Sequence, residues 1–320
     1  MSSSPPVGPT TSPASDETVV ENIQSKEVSR PSAPPSLGYS VREHRTGLII
    51  SLLLLVILNA CAPVLVYYLV KHYGNVTTER LYGVTTAVLA NSPLTWPWRA
   101  YRLLRRGGER SPVPESQAGA KSVQRPNAKW WQKFDIFQWQ FLFGIYFVTI
   151  FFVIACVLGY FPLLALGPSL LVAEVGLQLV VTSFFTVFKV PLPFRFSSVA
   201  KGEPWRPATY FLWEDLTAVD GGGGAEFRRR LDERYRASPP FRAMLRDLGF
   251  LIGFGGMALL GMECGLVFSG ASDDVVYGTT FAIAVIWAGV GAFVGITYTR
   301  WAMRREARWW RPVTQEKALD

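Results

Sequence analysis

The sequence predicts an all-α protein: a polytopic transmembrane helical bundle of about six spans, preceded by a disordered N-terminal tail. Three observations carry this. Apolar residues, 49% of the chain, gather in long blocks almost free of charge. Several blocks reach the ~20 residues needed to cross a ~30 Å hydrocarbon core. The 32 Lys and Arg and 24 Asp and Glu sit mainly between those blocks.

Residues 1–40 are rich in Ser, Pro, Thr and Glu and poor in apolar side chains. Such a stretch cannot bury enough surface to offset its ordering entropy, so it is expected to be disordered. No apolar h-region lies near Met1, so span 1 is expected to act as its own signal anchor. Span 1 is placed at about 47–70, with a kink expected near Pro63. Residues 81–98 are an uncharged second candidate interrupted by Asn91, Pro93 and Pro97. If they do not cross, the count falls to five. Residues 99–135 form a basic loop. Spans 3 and 4 follow at about 136–159 and 162–188, joined by a tight turn from Gly159 to Pro162.

Residues 189–248 are the largest polar loop, with short helices expected near 207–219 and 225–236. Arg229 with Glu233, and Glu226 with Arg230, are four apart and can meet on a helix surface. The run Gly221–Gly224 between these helices reads as a hinge, and it lacks the Lys-Ser or Lys-Thr of a phosphate-binding loop. Ser238 before Pro239 makes an N-cap and N1 pair for a further short helix. Spans 5 and 6 are placed at about 249–269 and 275–298. A basic tail, 299–320, interleaves arginine with tryptophan.

Charge fixes an orientation. The turns at 159–162 and 270–274 carry no Lys or Arg and the 71–80 loop carries two, against nine in 99–135 and eleven in 189–248. Cytosolic loops carry the basic excess, so with six spans both termini are cytosolic. Arg42 and Arg45, just before span 1, favour six over five. Trp96, Trp98, Trp130, Trp131 and Trp301 fall where an aromatic belt is expected. The net charge of +8 is therefore read as a lipid-facing surface, not a nucleic-acid one. Asn75-Val76-Thr77 is a glycosylation sequon, read as unused because it lies so near two membrane ends.

Few groups could carry chemistry. The two histidines, His44 and His72, lie outside the spans, which excludes intramembrane bis-histidine haem. Cys61, Cys156 and Cys264 lie in apolar segments and read as small buried hydrophobes. No cofactor and no metal site is expected, and no nucleophile–base arrangement stands out, so the reading leans away from an enzyme. Glu174 and Glu263 are intramembrane carboxylates, which cost ~2.5–3.5 kcal/mol on insertion scales. They serve either helix packing or a proton relay of a transporter or channel. Gly249 and Gly253, Gly261 and Gly265, and Gly291 and Gly295 follow the G-x-x-x-G spacing. They predict packing of spans 5 and 6 on each other, or a homo-oligomer or protein-partner interface. Arg228, Arg229 and Arg230, with Arg304 and Arg305 in the tail, are candidate contacts for membrane lipid headgroups. Glu214, Asp215 and Asp220 are the carboxylates that a lipid-modifying enzyme would use to hold Mg²⁺.

The strings VPLPFRFSS at 190–198 and EDLTAVDGGGGAEFRRRLDERYRASPPFR at 214–242 resemble a group of uncharacterised multi-pass membrane proteins of filamentous ascomycete fungi. The likeness extends over about 41–311. It implies a fungal source and several spans, and no activity.

Overall fold

The structure, a computed structural model, describes residues 33–39, 56–89, 99–101 and 134–311, together with Ile50, Leu53 and Leu103. The expectations for the 1–32 part of the tail, for Arg42 and Arg45, and for most of the 99–135 loop lie outside the described residues. So does the 90–98 half of the second candidate span. Pro35–Trp309 form one compact unit; Ala33, Pro34, Trp310 and Arg311 fall in another with the chain ends.

The elements of the described chain are helical. A π-helical turn, Ile57–Cys61, leads into α1, Ala62–Tyr73. Pro63, at the start of α1, cannot donate a backbone hydrogen bond, and the wider turn just before it is one way a helix absorbs such a gap. Gly74–Thr77 then reverse the chain into α2, Thr78–Leu89.

Helix α3, Ile136–Leu158, is capped by Asp135, whose carboxylate accepts from Gln138 N at 2.9 Å. It stops at Gly159, which takes the left-handed conformation (φ 60°) that side chains with a Cβ avoid. The expected span 4 is broken. A short α4, Phe161–Ala165, precedes α5, Gly167–Val187. Gly167 is where Phe152 of α3 packs: a Cβ there would stand 2.4 Å from its ring.

The polar segment folds into α6, Ala208–Asp215, a π-helical turn, Leu216–Asp220, and α7, Gly224–Ala237. These match the helices expected near 207–219 and 225–236. The next expectation is corrected: no separate short helix precedes span 5. Ser238 does cap, accepting from Phe241 N at 3.4 Å, but the helix it starts, α8, runs unbroken over Pro239–Val267. No proline after Pro240 interrupts it. The basic tail is likewise helical where it is described. Helix α9 spans Asp273–Trp309, 37 residues or ~55 Å, well beyond a ~30 Å core.

Four of these helices, α3, α5, α8 and α9, are long and apolar enough to cross a membrane. They carry many exposed large apolar side chains, among them Ile150, Val157, Phe254, Ile286 and Phe293. In water such a surface would be costly; against lipid it is not. The three cysteines are free thiols, and Cys61 is exposed on its helix rather than buried as expected.

The two ends of the bundle differ. At one, where the basic-poor turns gather, Tyr67, Leu81, Phe161, Leu164 and Tyr277 form an apolar cluster joining α1, α2, α4 and α9. Tyr67 stacks on Tyr277 with ring centres 4.1 Å apart, and Lys71 Nζ pairs with Asp274 Oδ1 at 2.5 Å. At the other, Tyr210, Phe211, Leu231, Phe241 and Ala302 unite α6, α7, the start of α8 and the end of α9.

Candidate functional site

The arginine-rich end holds most of the buried charge. Its local logic starts with Asp135. A short carboxylate before an apolar run caps α3, and its oxygens then meet a fixed guanidinium. Arg99 donates from Nη1 to Asp135 Oδ1 at 2.8 Å and from Nη2 to Oδ2 at 2.6 Å. Its Nε reaches Asp220 Oδ2 at 2.9 Å, and Nη1 also reaches Gln138 Oε1 at 3.0 Å. Planar two-point pairing of this kind is the geometry in which arginine binds a carboxylate best.

A second arginine organises the other half. Arg228 Nη1 donates to Asp215 Oδ1 at 2.6 Å, to Glu214 Oε1 at 2.9 Å and to Ser197 Oγ at 2.9 Å. Glu214 and Asp215 are fully buried. Asp215 Oδ2 accepts from the first two backbone N–H groups of α3, Ile136 at 3.1 Å and Phe137 at 3.2 Å. One carboxylate thereby ties α6, α7 and the start of α3 together. Burial, and after it the charge of Asp135, push the Asp215 carboxyl up to about 7, against the pull of Arg228. Burial alone would favour a neutral Arg228, but Asp215 and Glu214 outweigh it and raise its pKa above the ordinary guanidinium value.

Two further pairs extend the layer. Arg206 donates to Asp232 Oδ1 at 2.5 Å and lies between the rings of Tyr210 and Tyr235, at 4.6 and 4.8 Å. Arg234 binds Glu306 Oε2 at 2.6 Å, fastening α7 to α9. Removing one partner of a buried pair costs about 3–5 kcal/mol, because the survivor is stranded.

This arrangement corrects two expectations. Arg228 does not face lipid headgroups; it is 5% exposed and bound to two carboxylates. Arg229 and Arg230 are on the surface but paired, Arg229 with Glu226 and Glu233, Arg230 with Glu226. Those pairs form at the expected spacings. They draw the exposed Glu226 carboxyl down to about 2, through the hydrogen bonds of Arg229 and then Arg230. Glu214, Asp215 and Asp220 do not converge on an open point either. Two are taken by Arg228 and one by Arg99, and among the described residues no metal-holding set of His, Cys, Asp and Glu forms.

The α9 tail differs. Arg300, Arg304, Arg305 and Arg308 are exposed and form no ion pair among the described residues. Arg305 lies over the Trp301 ring at 5.8 Å. Arg300, Arg304 and Arg308 are four apart and share one face, while Ala302 and Glu306 turn into the layer.

The intramembrane candidates are separate from one another. Glu174 accepts from Gln140 Nε2 of α3 at 3.1 Å and from Gln178 of its own helix. Glu263 is fully buried, and neither oxygen has a hydrogen-bond partner among the described residues. The nearby Ser169 gives its hydroxyl to Leu166 O at 3.0 Å. Ser169 and Glu174 are five residues apart on α5, which places them ~140° apart around its axis. The two carboxylates thus occupy different helix interfaces.

The glycines divide in a way that their spacing does not announce. Gly249 and Gly253 pack on α5, not on α9. A Cβ at Gly249 would stand 2.4 Å from Ser183 Oγ, and one at Gly253 2.6 Å from Gly176 O. Gly295 comes near Leu248, at 3.7 Å, while Gly261, Gly265 and Gly291 face open space. The cap at Asp135 was readable as a short acidic residue before an apolar run. Arg99, Gln138 and Ser197 carry no comparable signal, because their partners lie 36 residues or more away for Arg99 and 18 for Ser197.

No curated protein and no solved structure matches the chain. Residues 22–310 match the family model described as Domain of unknown function (DUF8766), and over that span the chain belongs to this family.

Proposed function

We propose that the chain is a six-span, non-enzymatic membrane bundle, with both termini cytosolic, that presents a basic face to anionic lipid headgroups and to partner proteins. The observation that carries the reading is a division of charge. The layer's buried carboxylates are bound to buried arginines, whereas Arg300, Arg304 and Arg308 stand on one face of α9 with no ion pair among the described residues. A neutralised interior with a cationic rim suits a surface that binds and does not react. Each arginine near an anionic leaflet contributes about 1 kcal/mol.

Six spans suit this reading because Lys71 pairs with Asp274. A five-span chain would put those two residues on opposite faces. A filamentous-fungal source belongs to the same reading, through the strings at 190–198 and 214–242. The relay reading is not adopted, since Glu174 and Glu263 share no interface.

The test uses full-length chain in nanodiscs of mixed neutral and anionic phospholipid. Anionic lipid retained by the protein should fall by roughly tenfold or more in the double variant Arg304→Gln and Arg308→Gln, at ~1 kcal/mol per charge. Unchanged retention at low salt rejects the basic-face reading.

A further inference from the structure

Between α8 and α9 lies an open groove of about 670 Å³. Its walls are apolar: Leu248, Leu251 and Gly255 from α8, Gly291 and Gly295 from α9. Trp287 lies against Gly255, with its Cζ2 3.4 Å from where a Cβ would stand, and marks one end. Arg300 marks the other. From Trp287 to Arg300 is 13 residues, ~20 Å of helix, somewhat more than half of a ~30 Å core. The volume lies within the ~300–1,000 Å³ typical of small-molecule sites.

We infer that this groove holds one acyl chain of an anionic glycerophospholipid, with the lipid phosphate at Arg300. The inference rests on the proposed orientation, which puts Arg300 at the cytosolic leaflet. Three features favour this occupant. The groove lies between two membrane-crossing helices, so its open side meets lipid. Gly291 faces open space, which leaves room beside α9 for a narrow flexible chain. Its one charged lining residue is a cation at the leaflet boundary, unpaired among the described residues, and Arg304 lies one turn further along the same face. A zwitterionic lipid would fill the groove equally well, but its own ammonium would offset the phosphate charge offered to Arg300, so a lipid of net negative charge is favoured.

The experiment is photocross-linking of the full-length chain in neutral nanodiscs, doped with phosphatidylglycerol bearing a diazirine midway along one acyl chain. Phosphatidylcholine with the same label is the comparison. Adducts should concentrate on 248–255 and 287–296, with the anionic probe favoured about fivefold. Arg300→Gln should remove that preference, and because Arg300 is exposed and forms no ion pair among the described residues the fold should persist. Gly291→Phe, which fills open space, should remove the adducts while Arg304 and Arg308 still retain anionic lipid. Adducts spread evenly over all apolar helix surfaces, or equal yields from both probes, would overturn the inference. So would disulfide capture between Gly291→Cys copies, which would mean that a second copy fills the groove. Loss of bulk anionic retention in the Arg304 and Arg308 variant, with groove adducts intact, separates the surface reading from this one.

Discussion

Asp215 shows how much one buried side chain can organise and how it exposes the layer to pH. Its oxygens accept from Arg228, Ser197 and two backbone amides, yet its pKa is raised to about 7 by burial and then by Asp135. The sign follows from linkage. A carboxyl whose folded pKa lies above its unfolded value of 3.8 favours folding while both states are protonated. That contribution is complete below about 3.8 and is lost as pH rises through about 7. Raising the pH from 6 to 8 should therefore lower the amide protection factors of α6 and α7, taken against the intrinsic exchange rate at each pH, and Asp215→Asn should flatten the dependence. Equal slopes in the two proteins would assign the titration elsewhere. The sequence singled out Glu214, Asp215 and Asp220 as a set because they are close in the chain. It could not show that Arg99 and Arg228 occupy them, since an ion pair across 121 residues leaves no local pattern. The same blindness assigned Arg228 to headgroups: a basic run looks alike whether its members face water or each other.

Helices were more legible than their contacts. The 3.6-residue geometry, the caps and the lengths of the apolar blocks are local properties, so α3, α6, α7 and the cap at Ser238 could be read directly. The break at Leu166 and the continuation of α9 could not, because both depend on what packs against them: Phe152 over Gly167, and Arg234 on Glu306. The glycines make the distinction testable. At Gly253 the helix backbones of α5 and α8 approach so closely that a Cβ would stand 2.6 Å from Gly176 O, an atom held in its own helix. Gly253→Ala must push the helices apart, at a cost of about 1–3 kcal/mol typical of overpacking. Gly261 faces open space, and there alanine should be neutral or stabilising by up to ~1 kcal/mol through its better helix propensity. Thermal unfolding in detergent distinguishes the two. Similar midpoints would mean that α5 and α8 are not in close contact.

The whole molecule is a matter of sides, and here charge in the sequence and contacts in the structure converge. Counting lysine and arginine groups the turns at 74–77, 159–162 and 270–274 on one face and the long loops on the other. Contacts sort the same segments into the same two groups. Tyr67, Phe161 and Tyr277 meet at the turn end; Arg99, Asp135 and Asp220 meet at the arginine-rich end. Thr78, at the turn end, and Arg99, at the arginine-rich end, stand 21 positions apart in the chain, a separation over which an ideal helix rises ~32 Å, about the thickness of a hydrocarbon core. The Lys71–Asp274 pair supports the proposed six crossings over five. With five, Lys71 would stay on the arginine-rich side and could not reach Asp274. The expected outcome is read from cysteines placed one at a time, by Asn75→Cys, Ala271→Cys and Lys201→Cys, after removal of the three native thiols. In sealed vesicles of known orientation, a membrane-impermeant maleimide should label positions 75 and 271 from one side and position 201 only from the other. Labelling of 75 together with 201 would place the 71–80 turn with the basic loops, and the six-span bundle would have to be abandoned.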